Sequence, residues 1–208
     1  MTYTELEQAT IDYYERTALE WDAQHRTDRY WREAFDKFGA LLPRPAKIIE
    51  VGCGGGRDAL TLVKEFSFDY VGTDISARML EQARINLPGS KFVQSGVYDL
   101  ASHFPAGEFD GFWSAACLLH IPRQRMPAAL AAIRYVLKEN GVGFISLKRG
   151  DGEEVDQETG RFFSYYQPDD LKTIITTNGL EVLEMYEMMS NHTVWVISLL
   201  RKMSRTSP

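Results

Sequence analysis

From residue 47 onward, short runs of apolar, often branched residues alternate with stretches whose apolar positions recur at helical spacing. The runs predict buried strands, and the helical spacing predicts amphipathic helices between them. The predicted strands are 47–51, 70–74, 91–94, 108–114 and 142–147, and the predicted helices are 58–66, one that begins after Ser76, 125–137 and 168–178. Two alternating stretches, 180–188 and 193–200, close the pattern as a pair of strands. This order predicts an α/β protein.

The residues before this alternation are predicted to be helical. Segment 3–24 carries Tyr14 and Trp21 among apolar residues at roughly helical spacing, and a second segment, 30–42, ends before two prolines. We expect residues 1–45 to form a helical lid over a domain of residues 46–200, with 201–208 as a frayed tail. Core packing is the alternative role for most aromatic residues of the two helices.

A glycine cluster follows the first predicted strand, in the segment Lys47 to Asp58. Gly52, Gly54 and Gly56 allow a sharp turn and a close approach of the backbone to a ligand, and the helix that follows can receive an anionic group at its N-terminus. A plain strand-to-helix turn is the alternative. A dinucleotide fingerprint counted from Gly52 would require a third glycine where Arg57 stands, which weakens a nicotinamide interpretation.

The spacing Glu50-x-Gly52-x-Gly54-x-Gly56 resembles the first motif of class I S-adenosylmethionine-dependent methyltransferases. About 20 residues further on, Asp74 ends a predicted strand, where its carboxylate can accept hydrogen bonds from both ribose hydroxyls of a nucleotide. Capping of the next helix is the alternative for Asp74. The resemblance implies a Rossmann-like three-layer sandwich with a seven-stranded, mostly parallel sheet whose last strand is antiparallel, and S-adenosyl-L-methionine as the cofactor.

The resemblance also implies where the methyl donor binds. In the family the glycine loop lies against the methionine part of the donor, and the segment after the third strand contacts the adenine. That segment reads Ser95-Gly96-Val97-Tyr98-Asp99 here, with Gly96 where the family often has Asp, so Asp99 either supplies the carboxylate or caps a helical turn. The predicted donor-binding residues are Tyr14, Trp21, Glu50, Gly52, Cys53, Gly54, Arg57, Asp74, Ile75, Met79, Val97, Tyr98 and Ser114. Trp113 is a further candidate for an aromatic face beside the sulfonium.

Leu118-Leu119-His120 is similar to a Leu-His segment that lies beside the transferred methyl group in this family. Imidazole accepts a proton near neutral pH, so His120 is the candidate catalytic residue, as a general base or as a hydrogen-bond partner of the substrate. A structural or cofactor-packing role is the alternative.

Residues 148–163 combine glycines and charges without periodicity, which predicts a long loop. Because the loop follows a strand at the expected ligand-binding edge, we expect it to border the acceptor pocket. Lys148, Arg161 and Tyr165 join His120 as candidate substrate-binding residues, and Arg161 among aromatic residues suits a carboxylate-bearing or planar acceptor. A solvated loop with its aromatic residues in the core is the alternative.

Composition narrows the function. The chain has 208 residues with a net charge of −6, which disfavours a nucleic-acid partner. The two cysteines give no disulfide framework, and no His, Cys and carboxylate set has zinc spacing, so no metal is expected. A polar, acidic N-terminus and the lack of a membrane-length apolar run indicate a cytoplasmic protein without membrane association.

The sequence thus favours an enzyme that transfers a methyl group to an O or N nucleophile of a small-molecule acceptor by in-line displacement. A tRNA or protein methyltransferase, a nicotinamide-dependent oxidoreductase and a catalytically silent nucleotide-binding domain are the alternatives. Either a monomer or a homodimer is compatible with the sequence.

Overall fold

The computed structural model describes residues 2–28 and 30–204, apart from the side chain of Tyr3. The helices are α1 (Tyr3–His25), α2 (Arg32–Leu41), α3 (Arg57–Lys64), α4 (Ala77–Asn86), α5 (Leu100–His103), α6 (Met126–Val136) and α7 (Pro168–Thr177). The strands are β1 (Lys47–Val51), β2 (Asp69–Asp74), β3 (Lys91–Gln94), β4 (Phe109–Ala115), β5 (Leu137–Lys148), β6 (Glu153–Val155), β7 (Phe162–Ser164), β8 (Leu180–Ser190) and β9 (Thr193–Lys202). Single 3-10 turns cover Val97–Asp99, Leu118–His120 and Arg123–Arg125.

Seven strands form one sheet in the order β3-β2-β1-β4-β5-β9-β8. The pairs among β1 to β5 are parallel, and β9 is antiparallel to both of its neighbours. The predicted α/β sandwich, with a mostly parallel sheet and an antiparallel last strand, is therefore confirmed. Chain order reverses between β1 and β4, and ligands of open α/β sheets bind beyond the carboxyl ends of the strands at such a switch point.

Segment 148–163 is not the irregular loop that the sequence predicts. Strands β6 and β7 form an antiparallel hairpin, with Val155 opposite Phe162. Phe162 and Phe163 are buried, so the hairpin packs against the domain. Each of its strands has only three residues, which is too short for a period-2 pattern to show in the sequence.

The sheet carries an apolar core on each face. In the core under α2, Trp113 stacks between Phe35, with ring centroids 4.3 Å apart, and Phe144, at 3.7 Å. Trp113 is fully buried there, so it cannot offer a ring face to a sulfonium as the sequence suggested. Trp31 is 2% exposed, which confirms the packing alternative for this aromatic residue.

Helix α1 begins with a capping box, in which Thr2 and Glu5 hydrogen-bond each other's backbone N–H groups. It packs against α4 and β7 and so crosses the carboxyl edge of the sheet. Strand β9 continues to Lys202, two residues beyond the expected end of the domain at residue 200, and residues 205–208 of the expected tail lie outside the described residues.

Candidate active site

A cavity of about 290 Å³ lies at the carboxyl ends of β1, β2 and β4, with α1 across it. One end, here called the glycine-loop end, is formed by Gly52, Gly54 and Asp74. The other, here called the α1 end, includes Tyr14 and His120. This volume is close to the lower end of the range of about 300–1,000 Å³ that is typical of small-molecule sites.

The glycine loop needs its glycines for two different reasons. Gly52 and Gly54 have φ of 77° and 53°, in the left-handed region. A Cβ on Gly52 would also lie 2.2 Å from Sγ of Cys117, whereas one on Gly54 would meet nothing within 4 Å. Gly52 therefore permits close packing below the cavity, and Gly54 leaves the cavity open.

Asp74 holds the glycine loop in place. Its Oδ2 accepts a hydrogen bond from the backbone N–H of Gly54 at 2.8 Å, and its Oδ1 accepts one from Ser76 at 2.9 Å. Each oxygen keeps a second lone pair for a ligand hydroxyl. Burial raises the pKa of this carboxyl, against the lowering effect of the backbone donors. Asp74 thus has the geometry of a diol acceptor.

Glu50 lies buried at the end of β1, where it accepts a hydrogen bond from the hydroxyl of Tyr70 at 2.5 Å. Burial and the nearby charge of Asp58 raise its pKa well above the ordinary value. Arg57 donates from Nε to Oδ1 of Asp58 at 2.7 Å, and Asp58 Oδ2 accepts from the indole of Trp113 at 2.9 Å. The cation of Arg57 is therefore paired with Asp58, and the carboxyl of Glu50 lines the cavity.

Three side chains form a hydrogen-bonded chain at the α1 end. Nδ1 of His120 lies 2.8 Å from the carbonyl oxygen of Phe162, which only accepts, so Nδ1 carries the proton of the neutral ring. Nε2 then accepts from the hydroxyl of Tyr14 at 3.0 Å, and the oxygen of Tyr14 accepts from Nη1 of Arg161 at 3.1 Å. The basic nitrogen of His120 therefore faces Tyr14.

Burial tunes both groups of this pair. It lowers the pKa of His120 to about 3, an effect that the positive charges of Arg161 and Lys148 reinforce. It raises the pKa of Tyr14 to about 12, which the charge and hydrogen bond of Arg161 partly oppose. Both groups are therefore neutral at pH 7. They would take a proton from a bound substrate only as positive charge develops on that substrate during the reaction.

Carboxylates of α1 fasten the helix over the cavity. Glu7 accepts from the hydroxyl of Tyr98 at 2.6 Å, and Glu15 accepts from the backbone N–H of Ala77, at the start of α4, at 2.5 Å. Asp22, only 3% exposed, accepts from Nδ2 of Asn86 at 2.9 Å and from Nη2 of Arg26 at 2.6 Å. The helix is thus tied to elements along the whole length of the cavity.

The structure brings together most of the residues predicted from the sequence. Those that line the cavity are Tyr14, Trp21, Glu50, Gly52, Cys53, Gly54, Arg57, Asp74, Ile75, Met79, Val97, Tyr98 and His120. Ser114 does not line it, because its buried hydroxyl donates to the carbonyl of Val51 at 3.0 Å. Lys148 and Arg161 lie behind the α1 end, beside the ring of Phe163. The hydroxyl of Tyr165 donates to Glu154, so it is turned toward the hairpin.

Sequence reasoning missed Glu7, Thr10, Glu15 and Asp22 of α1. Thr10 Oγ1 accepts from the backbone N–H of Phe162 at 2.9 Å and joins α1 to the hairpin. A signal was available for Asp22, which shares a helical stripe with Tyr14 and Ala18 and so places a charge on the apolar face of α1.

Among the described residues, no group of three or more His, Cys, Asp or Glu side chains is arranged to hold a metal ion. None of the described helices is both long and apolar enough to cross a membrane.

Residues 48–141 match a family model described as a methyltransferase domain. The 2-methyl-6-phytyl-1,4-hydroquinone methyltransferase of Synechocystis sp. is 33% identical over 92 residues, which are 43% of this chain and 29% of that protein. The O-methyltransferase rstn1 of Aspergillus nomiae is 24% identical over 191 residues, 86% of this chain and 82% of its own. The chain thus spans less than a third of the hydroquinone methyltransferase but most of rstn1.

A crystal structure of the Burkholderia thailandensis 1,6-didemethyltoxoflavin-N1-methyltransferase, with bound 1,6-didemethyltoxoflavin and S-adenosylhomocysteine, has the same fold. Its TM-score is 0.82 at 18% identity, over 98% of this chain and 92% of that one. The sheet order and the glycine loop at the switch point define a methyltransferase fold of class I. With the match of residues 48–141 to the methyltransferase domain model, they confirm the predicted resemblance to the class I S-adenosylmethionine-dependent methyltransferases.

Proposed function

We propose that this protein transfers a methyl group from S-adenosylmethionine to an oxygen or nitrogen of a small-molecule acceptor. One observation carries the proposal. The carboxylate of Asp74 and the hydrogen-bonded pair Tyr14 and His120 line the same cavity, which α1 covers. A net charge of −6 favours a small acceptor over a nucleic acid.

The glycine-loop end suits the donor. Asp74 would accept hydrogen bonds from the ribose hydroxyls, and Val97 and Tyr98 would lie against the base. Glu50 would receive the cationic amino group of the methionine part, which would return the carboxyl to its ionised form. When bound, the donor supplies an electrophilic methyl group on a sulfonium, and the displaced product is a neutral thioether.

The α1 end suits the acceptor. Tyr14 would hold the nucleophile by its hydroxyl and pass a proton to Nε2 of His120, whose Nδ1–H is fixed by the carbonyl of Phe162. His120 would act through Tyr14 and would not touch the acceptor. An in-line displacement requires the nucleophile, the methyl carbon and the sulfur to be held on one line, so the attachment of α1 over the cavity would serve the reaction directly.

The cavity of about 290 Å³ lies under α1, so we further propose that residues 1–45 act as a lid that opens to admit ligands. The names of similar proteins are in keeping with small acceptors, since one is an O-methyltransferase and another an N1-methyltransferase.

Calorimetric titration with S-adenosylmethionine, S-adenosylhomocysteine and NAD in parallel tests the proposal. We expect micromolar binding of the first two and none of NAD. Transfer of a labelled methyl group to a panel of phenols, carboxylic acids and amines would then identify the acceptor. Binding of NAD alone, or of none of the three, would overturn the proposed function.

A further inference from the structure

Two positive side chains contact one aromatic ring behind the α1 end. Lys148 ends β5, and Arg161 immediately precedes β7. Nζ of Lys148 is 3.8 Å from the ring centroid of Phe163, and Cζ of Arg161 is 5.1 Å from the same centroid. Both cations therefore contact the same aromatic ring.

No carboxylate of the described residues forms an ion pair with either cation. Arg161 donates to the hydroxyls of Thr159, at 3.1 Å, and Tyr14, also at 3.1 Å. The nearby carboxylates are used within the hairpin: Glu154 accepts from Tyr165, and Asp156 accepts from the backbone N–H and the hydroxyl of Thr159 at 2.7 Å. Nζ of Lys148 has no hydrogen-bond partner in the described part of the chain.

The positive charges of Lys148 and Arg161 are only partly balanced by the groups around them. Burial lowers the pKa of Lys148 and the charge of Arg161 lowers it further, while the negative charges of Glu154 and Asp156 partly oppose both effects. Like charges repel each other, and a bound anion would offset this repulsion and accept hydrogen bonds from the donors that have no partner among the described residues. A carboxylate matches a guanidinium geometrically, since both are planar and each can form two parallel hydrogen bonds.

The surroundings of Arg161 are aromatic. Its Cζ lies 4.7 Å from the ring centroid of Tyr13 and 5.0 Å from that of Trp21. Aromatic faces beside a cation favour a ligand with an apolar or planar body next to its charge. Arg161 also reaches the cavity through the hydroxyl of Tyr14, which lies 3.0 Å from Nε2 of His120. An anion held at Arg161 would thus lie close to the proposed reacting atoms.

We propose that Lys148 and Arg161 bind a carboxylate of the methyl acceptor. This inference rests on the proposed function, and it names the acceptor class as a carboxylic acid with an apolar or aromatic body.

Calorimetry with benzoate and the isosteric, neutral benzamide tests this site at low ionic strength. Each would be titrated into the protein alone and into the protein saturated with S-adenosylhomocysteine. We expect benzoate to bind at least tenfold more tightly than benzamide to the saturated protein. Lys148→Gln and Arg161→Gln should each weaken benzoate at least tenfold and leave benzamide unchanged.

Arg149→Gln is the matched control, because it removes a cation next in the chain that pairs with Glu187 instead. It should change benzoate affinity less than twofold. Equal binding of benzoate and benzamide to the wild-type protein would overturn the proposal. So would a loss of S-adenosylhomocysteine affinity in Arg161→Gln with benzoate affinity retained, because the cation would then serve the donor. Failure of the wild-type protein to bind S-adenosylhomocysteine would instead contradict the proposed function. The titration of benzoate into the protein alone would still measure anion binding by Lys148 and Arg161.

Discussion

The two ends of the cavity are assembled in different ways. At the glycine-loop end, Asp74 binds backbone groups that lie 20 and 2 positions away in the sequence. At the α1 end, the hydrogen bonds join side chains or backbone groups much further apart: Tyr14 and His120 are separated by 106 positions, Arg161 and Tyr14 by 147. The glycine-loop end can therefore be built by one local motif, whereas the α1 end depends on the packing of the whole domain. Substitutions at the glycine-loop end should alter the conformation of the loop itself. Substitutions at the α1 end should alter the packing of α1 and of the β6–β7 hairpin.

The largest effect is expected from Gly52→Ala at the glycine-loop end. A left-handed φ of 77° and a Cβ 2.2 Å from the sulfur of Cys117 both oppose a side chain. The conformational strain costs about 1–2 kcal/mol, and overpacking adds about 1–3 kcal/mol. Urea unfolding should show the sum, about 2–5 kcal/mol. Gly54→Ala should cost about 1–2 kcal/mol from strain alone, because its Cβ would meet nothing within 4 Å. Equal losses in the two variants would contradict this assignment.

Asp74→Ala should have the next largest effect, on donor affinity. The variant removes the acceptor proposed for the ribose and releases the N–H groups of Gly54 and Ser76. Hydrogen bonds to charged groups contribute about 1.5–3 kcal/mol each, so S-adenosylhomocysteine should bind about 100-fold more weakly by calorimetry. Asp69→Ala, at the exposed opposite end of β2, should leave the affinity unchanged. An unchanged dissociation constant in Asp74→Ala would exclude the ribose assignment.

The α1 end should respond to acid through His120. Unfolded His120 binds a proton near pH 6.5, whereas the folded residue does so only near pH 3. Between these two pH values the unfolded state binds one more proton than the folded state. The free energy of unfolding therefore has its full value, as far as His120 is concerned, above pH 6.5 and decreases as the pH falls. At pH 5, His120 alone should lower the free energy of unfolding by about 2 kcal/mol.

His120→Gln should therefore flatten the decline of unfolding free energy between pH 7 and pH 5, measured in urea. His103→Gln, which removes an exposed histidine, is the control and should keep the wild-type slope. Identical slopes in the wild type and His120→Gln would show that His120 is protonated equally in both states.

The contrast between the two ends also explains what could be predicted from sequence. The glycine loop and Asp74 lie within 25 residues, and glycine and acidic residues at those spacings have few other uses. The partners of His120 could not be predicted, because the contact of its ring with Tyr14 requires the final position of α1. Ser114 was misplaced for a related reason: residues alternate between the two faces of a strand, and nothing local indicates which face lies beside the cavity. The β6–β7 hairpin could not be predicted, because strands of three residues are too short to show an alternating pattern.

The smallest expected effect tests whether α1 is a separately fastened element. Glu15 accepts from the backbone N–H of Ala77 at the start of α4, where a negative charge is stabilised by the helix dipole. Glu15→Gln keeps a side-chain oxygen but removes the charge, so unfolding free energy should fall by only about 0.3–1 kcal/mol. Amide hydrogen exchange in α1 should accelerate, while exchange in β1 and β4 stays unchanged. Glu20→Gln, on the exposed face of the same helix, should change neither quantity. Faster exchange throughout the sheet would mean that α1 unfolds only with the domain, and a lid that opens independently would then be excluded.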